Sequence, residues 1–249
     1  MTIGDLKVGS KLMFGAYGVR TPVPVTWLKA TKDCIFLAEK VLDILPFDSA
    51  EPRNRNGNSY YAGNSNYELS NIHQFLNADG EDWFERTHYD DEEPVRYQRD
   101  IPGFLTHFED YELASLQGKV CLPHLADIVD GGQTPKFELF RRKGIRTTAT
   151  DDVITYRFGH GLDCNTFAEY WTQDASTCSS VRFISRGATF RSRSASTICG
   201  IRPKCSLSAS VEVEKCAEYC WRIKPFGAVR PGQKQWEDAE LMAFLGMSL

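Results

Sequence analysis

The sequence predicts a compact, strand-rich fold, all-β or α+β, and three observations point there. Short apolar/polar alternations, the period of a half-buried strand, recur near both ends of the chain. Glycine, proline and asparagine punctuate them at short intervals, as turns require. Aromatic residues make up 12% of the 249 residues, enough to fill much of a core with rings rather than aliphatics. Most of these rings are therefore expected inside, not on a binding face.

The elements follow in order. "KLMFGAYG", "VPVTWLKAT" and "CIFLAEKVL" read as three strands. Val23, Val25 and Trp27 alternate in the second, and Pro24 fits only an edge or a bulged strand. "PFDSAEPRNRNGNSYYAGNSNYELS" is a long loop of turn-forming residues. In "SNIHQFLNADGEDWF", Ser70 is an N-cap and Ile72, Phe75 and Leu76 share one helical face. His73 is expected to be a packed or surface residue, not a ligand. "GFLTHFEDYELASL" predicts another short helix, and "KVCLPHLADI" a strand broken at Pro123. "GGQTPKFELFRRKGIRTTAT" reads as an extended insertion. "VITYRF", "AEYWTQD" and "SSVRFISRGATFRSRSASTICGIRPKCSLSAS" return to strand alternation. "PGQKQWEDAELMAFLGMSL" places Trp236, Leu241 and Leu245 near helical spacing.

Within "TICGIRPKCSL", Gly200 suits a close backbone approach or a positive φ. Ile201 and Leu207 are expected to be buried, with Pro203 ending a strand. Arg202 is expected to be structural, held by a carboxylate or by backbone carbonyls.

Charge is unevenly placed around a net −4. Asp79 to Glu93 holds eight acids and one arginine, most simply a solvated face. Ala175 to Val211 holds no acid, against Arg182, Arg186, Arg191, Arg193, Arg202 and Lys204. That basic stretch is either a ligand surface or an internal answer to the acidic run. The eight cysteines include no CxxC pair, the tightest spacing being "CAEYC", which favours buried thiols over a disulfide framework. The start, "MTIGDLKVGSKLMFG", lacks a signal peptide's basic head and apolar run. No stretch nears the roughly 20 apolar residues of a membrane span.

Taken in order, "VPVTWLKA", "FLAEKVLDILPFD", "NYELSNIHQFLN" followed by "WF", then Tyr170-Trp171 and "GIRPKCSL" resemble an uncharacterised domain family of bacterial and phage proteins. That family looks related to the formylglycine-generating-enzyme type of C-type-lectin fold. The resemblance implies an α+β fold: twisted, mostly antiparallel sheets, few short helices and long structured loops. It implies a lectin-like domain over residues 1–210, with 211–249 an extension bearing a short helix that docks on the body or a partner. Several members of such folds serve as adhesins or as the variable tips of phage receptor-binding proteins.

Catalytic signatures are scarce. His73, His88, His107, His124 and His160 have no metal-ligand spacing, and neither a GxSxG elbow nor a phosphate-binding GxxxxGK[ST] loop occurs. The oxidase relatives implied by the resemblance use paired cysteines. Cys199 and Cys205 flank a stretch that, if extended, spans about 20 Å, too far for a pair, an objection that a turn at Gly200 or Pro203 would weaken. A sequence pI of about 5.8 argues against nucleic-acid binding, despite Phe183 and Phe190 among the arginines. The expectation is a non-enzymatic virion protein, made in the host cytoplasm without a signal peptide, using no cofactor or metal and neither nucleic acid nor membrane insertion. Its partners would be other virion proteins, further copies of itself in a homo-oligomer, and a host surface protein or glycan. The ligand-binding residues would be Arg182, Arg186, Arg191 and Arg193, with Trp171 as an aromatic platform. The alternative is a capsid-decoration or tail subunit without a ligand, whose Trp236, Leu241, Met242 and Phe244 pack on a neighbour.

Overall fold

A computed structural model describes residues 1–18, 21–53, 59–87, 91, 94, 101–128, 137–143, 146–151, 153 and 168–226. Its strands are β1 Lys11–Tyr17, β2 Val23–Lys29, β3 Ile35–Ala38, β4 Asp43–Pro46, β5 Tyr170–Thr177 and β6 Ser180–Ile184. They continue with β7 Phe190–Ser194, β8 Ile198–Ile201, β9 Lys204–Ser206, β10 Val213–Ala217 and β11 Cys220–Ile223. Short helices are α1 Ser59–Ala62, α2 Asn71–Leu76, α3 Asp110–Leu113, α4 Leu125–Ile128 and α5 Glu138–Lys143. Strands dominate and the helices are brief, so the fold is sheet-rich and α+β in kind.

Six strands form the main sheet in the order β10-β11-β1-β2-β3-β9. All its neighbours run antiparallel except β1 and β11, which pair parallel from Lys11–Cys220 to Met13–Arg222. Both faces are covered. Leu12, Phe14, Val25, Trp27 and Phe36 enter a cluster with Ile72, Phe75 and Leu76 of α2. The alternate residues Leu28, Leu37 and Ile35 join a second cluster with Phe137, just before α5, and with Leu139 and Phe140 of α5. Sheets buried on both sides lose the clean in/out alternation, which is why the end of β2 is buried at Trp27, Leu28 and Lys29 alike. Lys29 is accommodated because its ammonium donates to the carbonyls of Ile3 and Gly4.

Several expectations meet their explanation here. β2 is an inner strand, yet its pairing with β3 covers only Trp27–Lys29. Pro24 lies beyond that stretch, paired with Ala16 at the end of the β1 bulge between Met13 and Ala16, so its missing N–H breaks no bond to β3. Gly15 in that bulge has φ +63°, and the Phe108 ring lies where its Cβ would be. The Ser70 side chain caps α2 by accepting from the His73 N–H, and Ile72, Phe75 and Leu76 are fully buried.

The "TICGIRPKCSL" stretch forms β8 and β9 with Arg202-Pro203 between them. A Cβ on Gly200 would meet the Glu169 carbonyl oxygen at 2.1 Å, so glycine serves close approach at this position. Ile201 and Leu207 are buried. Arg202 is buried too: its Nε donates to the Ala38 carbonyl at 2.9 Å, it hydrogen-bonds Tyr170, and its guanidinium lies 5.1 Å from the Tyr170 ring. A carbonyl and a phenol hold it, and burial pushes its pKa down.

Three expectations are corrected. "GGQTPKFELFRRKGIRTTAT" is not simply an extended insertion, since α5 forms within it, with Leu139 and Phe140 of α5 and the preceding Phe137 buried. "KVCLPHLADI" contributes only an isolated bridge at Cys121, and its second half becomes α4. Residue 210 is no domain boundary, because β10 and β11 lie in the main sheet and β11 is the direct neighbour of β1. "VITYRF" beyond Val153, and the C-terminal segment with Trp236, Leu241, Met242, Phe244 and Leu245, lie outside the described residues.

Candidate ligand-binding surface

A separate three-stranded sheet, β5-β6-β7, carries every site residue expected from sequence except Arg186, which sits in its β6–β7 turn. The register sorts them. Trp171 pairs with Phe183 and Phe183 with Arg191, while Val181 pairs with Arg193, so these side chains share one face. Arg182 pairs with Ser192 and points the other way. The four arginines therefore do not make one patch.

Trp171 is not a platform. It is fully buried, its indole N–H donates to the Leu45 carbonyl at 3.1 Å, and it packs edge-on against Phe47 and Phe183. Arg193 is structural as well: it donates to Glu169 at 2.8 Å, and its guanidinium lies 3.8 Å over the Phe183 ring. The basic stretch thus answers Glu169 at this point, not the Asp79–Glu93 run. Arg182 and Arg191 are exposed, and Arg186 is half-buried. Residues Phe190, Arg191 and Ser192 are all exposed along β7, the outer strand of the sheet. A charged side chain on such an edge also discourages pairing with stray strands.

Past β5, on the side away from β6, lies a polar groove of about 600 Å³. Asn64, Asn66 and Glu68 line it from one loop, His124 from another, and Gln173 and Cys178 from β5 and its turn. The first loop is stiffened from within. Asn64 Oδ1 accepts from the Asn66 N–H at 2.9 Å, and Asn66 Oδ1 accepts from the Glu68 N–H at 3.2 Å. Its base is pinned by Asp48, whose carboxylate accepts from the Asn64 and Asn71 backbone N–H groups. Burial pushes the Asp48 pKa up to about 7. The loop is tied to β5 by Ser65, whose hydroxyl donates to the Thr177 carbonyl at 2.7 Å.

The opposite wall is built alike. Asp174 accepts from the Leu125 N–H and lies 3.6 Å from His124 Nδ1. Asp127 accepts from the His124 N–H at 2.8 Å and forms an ion pair with Lys204. Gln173 donates to the Leu122 carbonyl at the floor. Behind the groove His73 packs on Tyr67 at 5.0 Å between Glu68 and Lys119, and burial lowers its pKa. Amide, imidazole and carboxylate groups on a prearranged frame suit the hydroxyl and amide groups of a sugar or peptide. Among the described residues, no group of three or more histidine, cysteine or acidic side chains is arranged to hold a metal ion.

Residues 31–209 match a family described as a domain of unknown function, DUF6273. The chain belongs to that family. Searches of curated proteins and of solved structures find no match. The family stretch holds the groove and the whole β5-β6-β7 sheet, but of the main sheet only β3 and β9.

The groove was not foreseen from sequence. Asn64 and Asn66 looked like ordinary loop residues, and His124 stood alone; they meet only because β5 lies between segments some 60 residues apart in the chain. The one available signal was "GNSN", a pair of asparagines spaced for successive side-chain-capped turns.

Proposed function

We propose that this chain is a non-enzymatic binding protein, an adhesion or receptor-binding subunit of a phage particle, that takes a host surface glycan or protein on its β5-β6-β7 sheet. The observation that carries the reading is the polar groove beside β5, framed by internally hydrogen-bonded loops that hold its lining in place without a ligand. Preorganised lining matters because binding loses less to ordering. The exposed arginines at 182 and 191 add two places for anionic or hydroxyl-rich groups on the same small sheet. The lectin-like assignment and the phage setting rest on the ordered phrases from Val23 to Leu207. Mass spectrometry of purified particles against soluble host extract tests the setting. Enrichment of the chain in particles supports it, and recovery in the soluble extract alone overturns it.

A further inference from the structure

The hairpin β10–β11 brings two cysteines together in a way the spacing "CAEYC" alone does not fix. Lys215 pairs with Trp221 and Ala217 with Cys220, leaving Cys216 as the extra residue of a bulge. A bulge of this kind sets two residues of one strand against one of the other. Cys216 and Ala217 accordingly pack in one cluster with Cys220 and Met13. The Cys220 thiol donates to the Trp221 carbonyl at 3.8 Å, and its sulfur packs against Cys216.

The two positions differ in access. Cys220 is buried, forming part of the wall of a cavity of about 520 Å³ that Lys11, Tyr17, Val25 and Leu42 also line. Cys216 is half-buried on the outer strand of the sheet. The adjacent Cys220 side chain and the nearby Arg222 guanidinium both favour a thiolate at Cys216, whereas the neighbouring Cys216 sulfur and burial hold Cys220 protonated. Thiolate is the attacking form in disulfide exchange.

We propose that Cys216 and Cys220 form a redox modification site that reacts with small-molecule disulfides of the glutathione class, Cys216 attacking and Cys220 resolving. The Cys216 thiolate attacks one sulfur of the disulfide, forms a mixed disulfide and releases one small thiolate. Cys220 loses its proton to solvent and attacks the Cys216 sulfur, expelling the second small thiolate. The protein loses two electrons and two protons, and the small disulfide is reduced to two thiols. The product staples the turn Glu218-Tyr219 and fixes β11 against β10.

The test incubates the full chain with glutathione disulfide, alkylates remaining thiols and maps them by mass spectrometry. The expected result is a peptide containing both cysteines that has lost two hydrogen atoms and takes up no alkylating agent. Cys178, exposed in the β5–β6 turn, is the internal comparison for simple adduct formation. The variant Cys220→Ser is expected to retain one glutathione on Cys216. Alkylation of both thiols as in untreated protein, or a lasting adduct on Cys216 in the wild type, overturns the proposal. So does a folded Cys220→Ser chain without an adduct on Cys216. The wild-type map decides the matter even if the variant does not fold.

Discussion

Arg191 and Arg193 are two residues apart on one strand face and have opposite duties. Arg193 is tied to Glu169 and covers the Phe183 ring, with about a quarter of each charged side chain exposed. Such a pair contributes modestly to stability, and stacking on an aromatic face adds to it. Arg193→Ala is expected to cost about 1–2 kcal/mol, whereas Arg191→Ala is expected to stay within about 0.5 kcal/mol of wild type. Urea unfolding of the two variants checks this, and equal losses would refute the division of labour. The arginines were legible as a group, because an acid-free stretch is visible in any sequence. Their separation into a structural and an exposed member was not, since it depends on Phe183 pairing with Arg191 and on Glu169 lying within reach. Trp171 misled for the same reason: alternation marks two faces but does not say which of them the core will claim.

At the level of elements, two buried carboxylates act as backbone clamps. Asp48 holds the groove loop to the start of α2. Glu112 of α3 accepts from Gly15 N–H in β1 and from Glu109 N–H at the helix start, each at 2.9 Å. Burial raises both pKa values to about 7. The folded state then binds protons more tightly than the unfolded state, so the stability linked to these groups is present below about pH 4 and lost as pH rises to about 7. Each contributes on the order of a few kcal/mol at most. The melting temperature is expected to fall between pH 5 and pH 8. Glu112→Gln is expected to lower it at both values and to shrink the difference. A melting temperature that rises over this interval would contradict the assignment.

The elements themselves were unevenly legible. α2 was readable because a Ser cap and three apolar residues on one face coincide between Ser70 and Leu76. α5 was not, because six residues make fewer than two turns and the Phe137-Leu139-Phe140 pattern at its start suits a strand or a helix equally. Pro24 correctly signalled an interruption, although the strand carrying it lies inside the sheet.

For the molecule as a whole, the consequential pairing is β1 with β11, strands at opposite ends of the sequence. It joins the N-terminal strands to the C-terminal hairpin and makes the family stretch, residues 31–209, an incomplete unit. A fragment of those residues loses β1, β2, β10 and β11, and with them Phe14 and Trp27, which pack on Phe108 and Phe104 of the aromatic cluster. It is expected to be insoluble or unfolded by circular dichroism, while the full chain melts cooperatively. A soluble, cooperatively melting fragment would show that the core closes without those strands.

The binding claim depends on the groove and the outer strand acting in the intact chain. Purified full-length protein can be titrated against a panel of immobilised bacterial surface glycans and surface proteins. Saturable binding is predicted, weakened roughly tenfold, or about 1.4 kcal/mol, by His124→Ala or by Arg191→Ala in chains that melt like wild type. Binding unchanged in both variants, or no saturable binding to any member of the panel, would contradict the account.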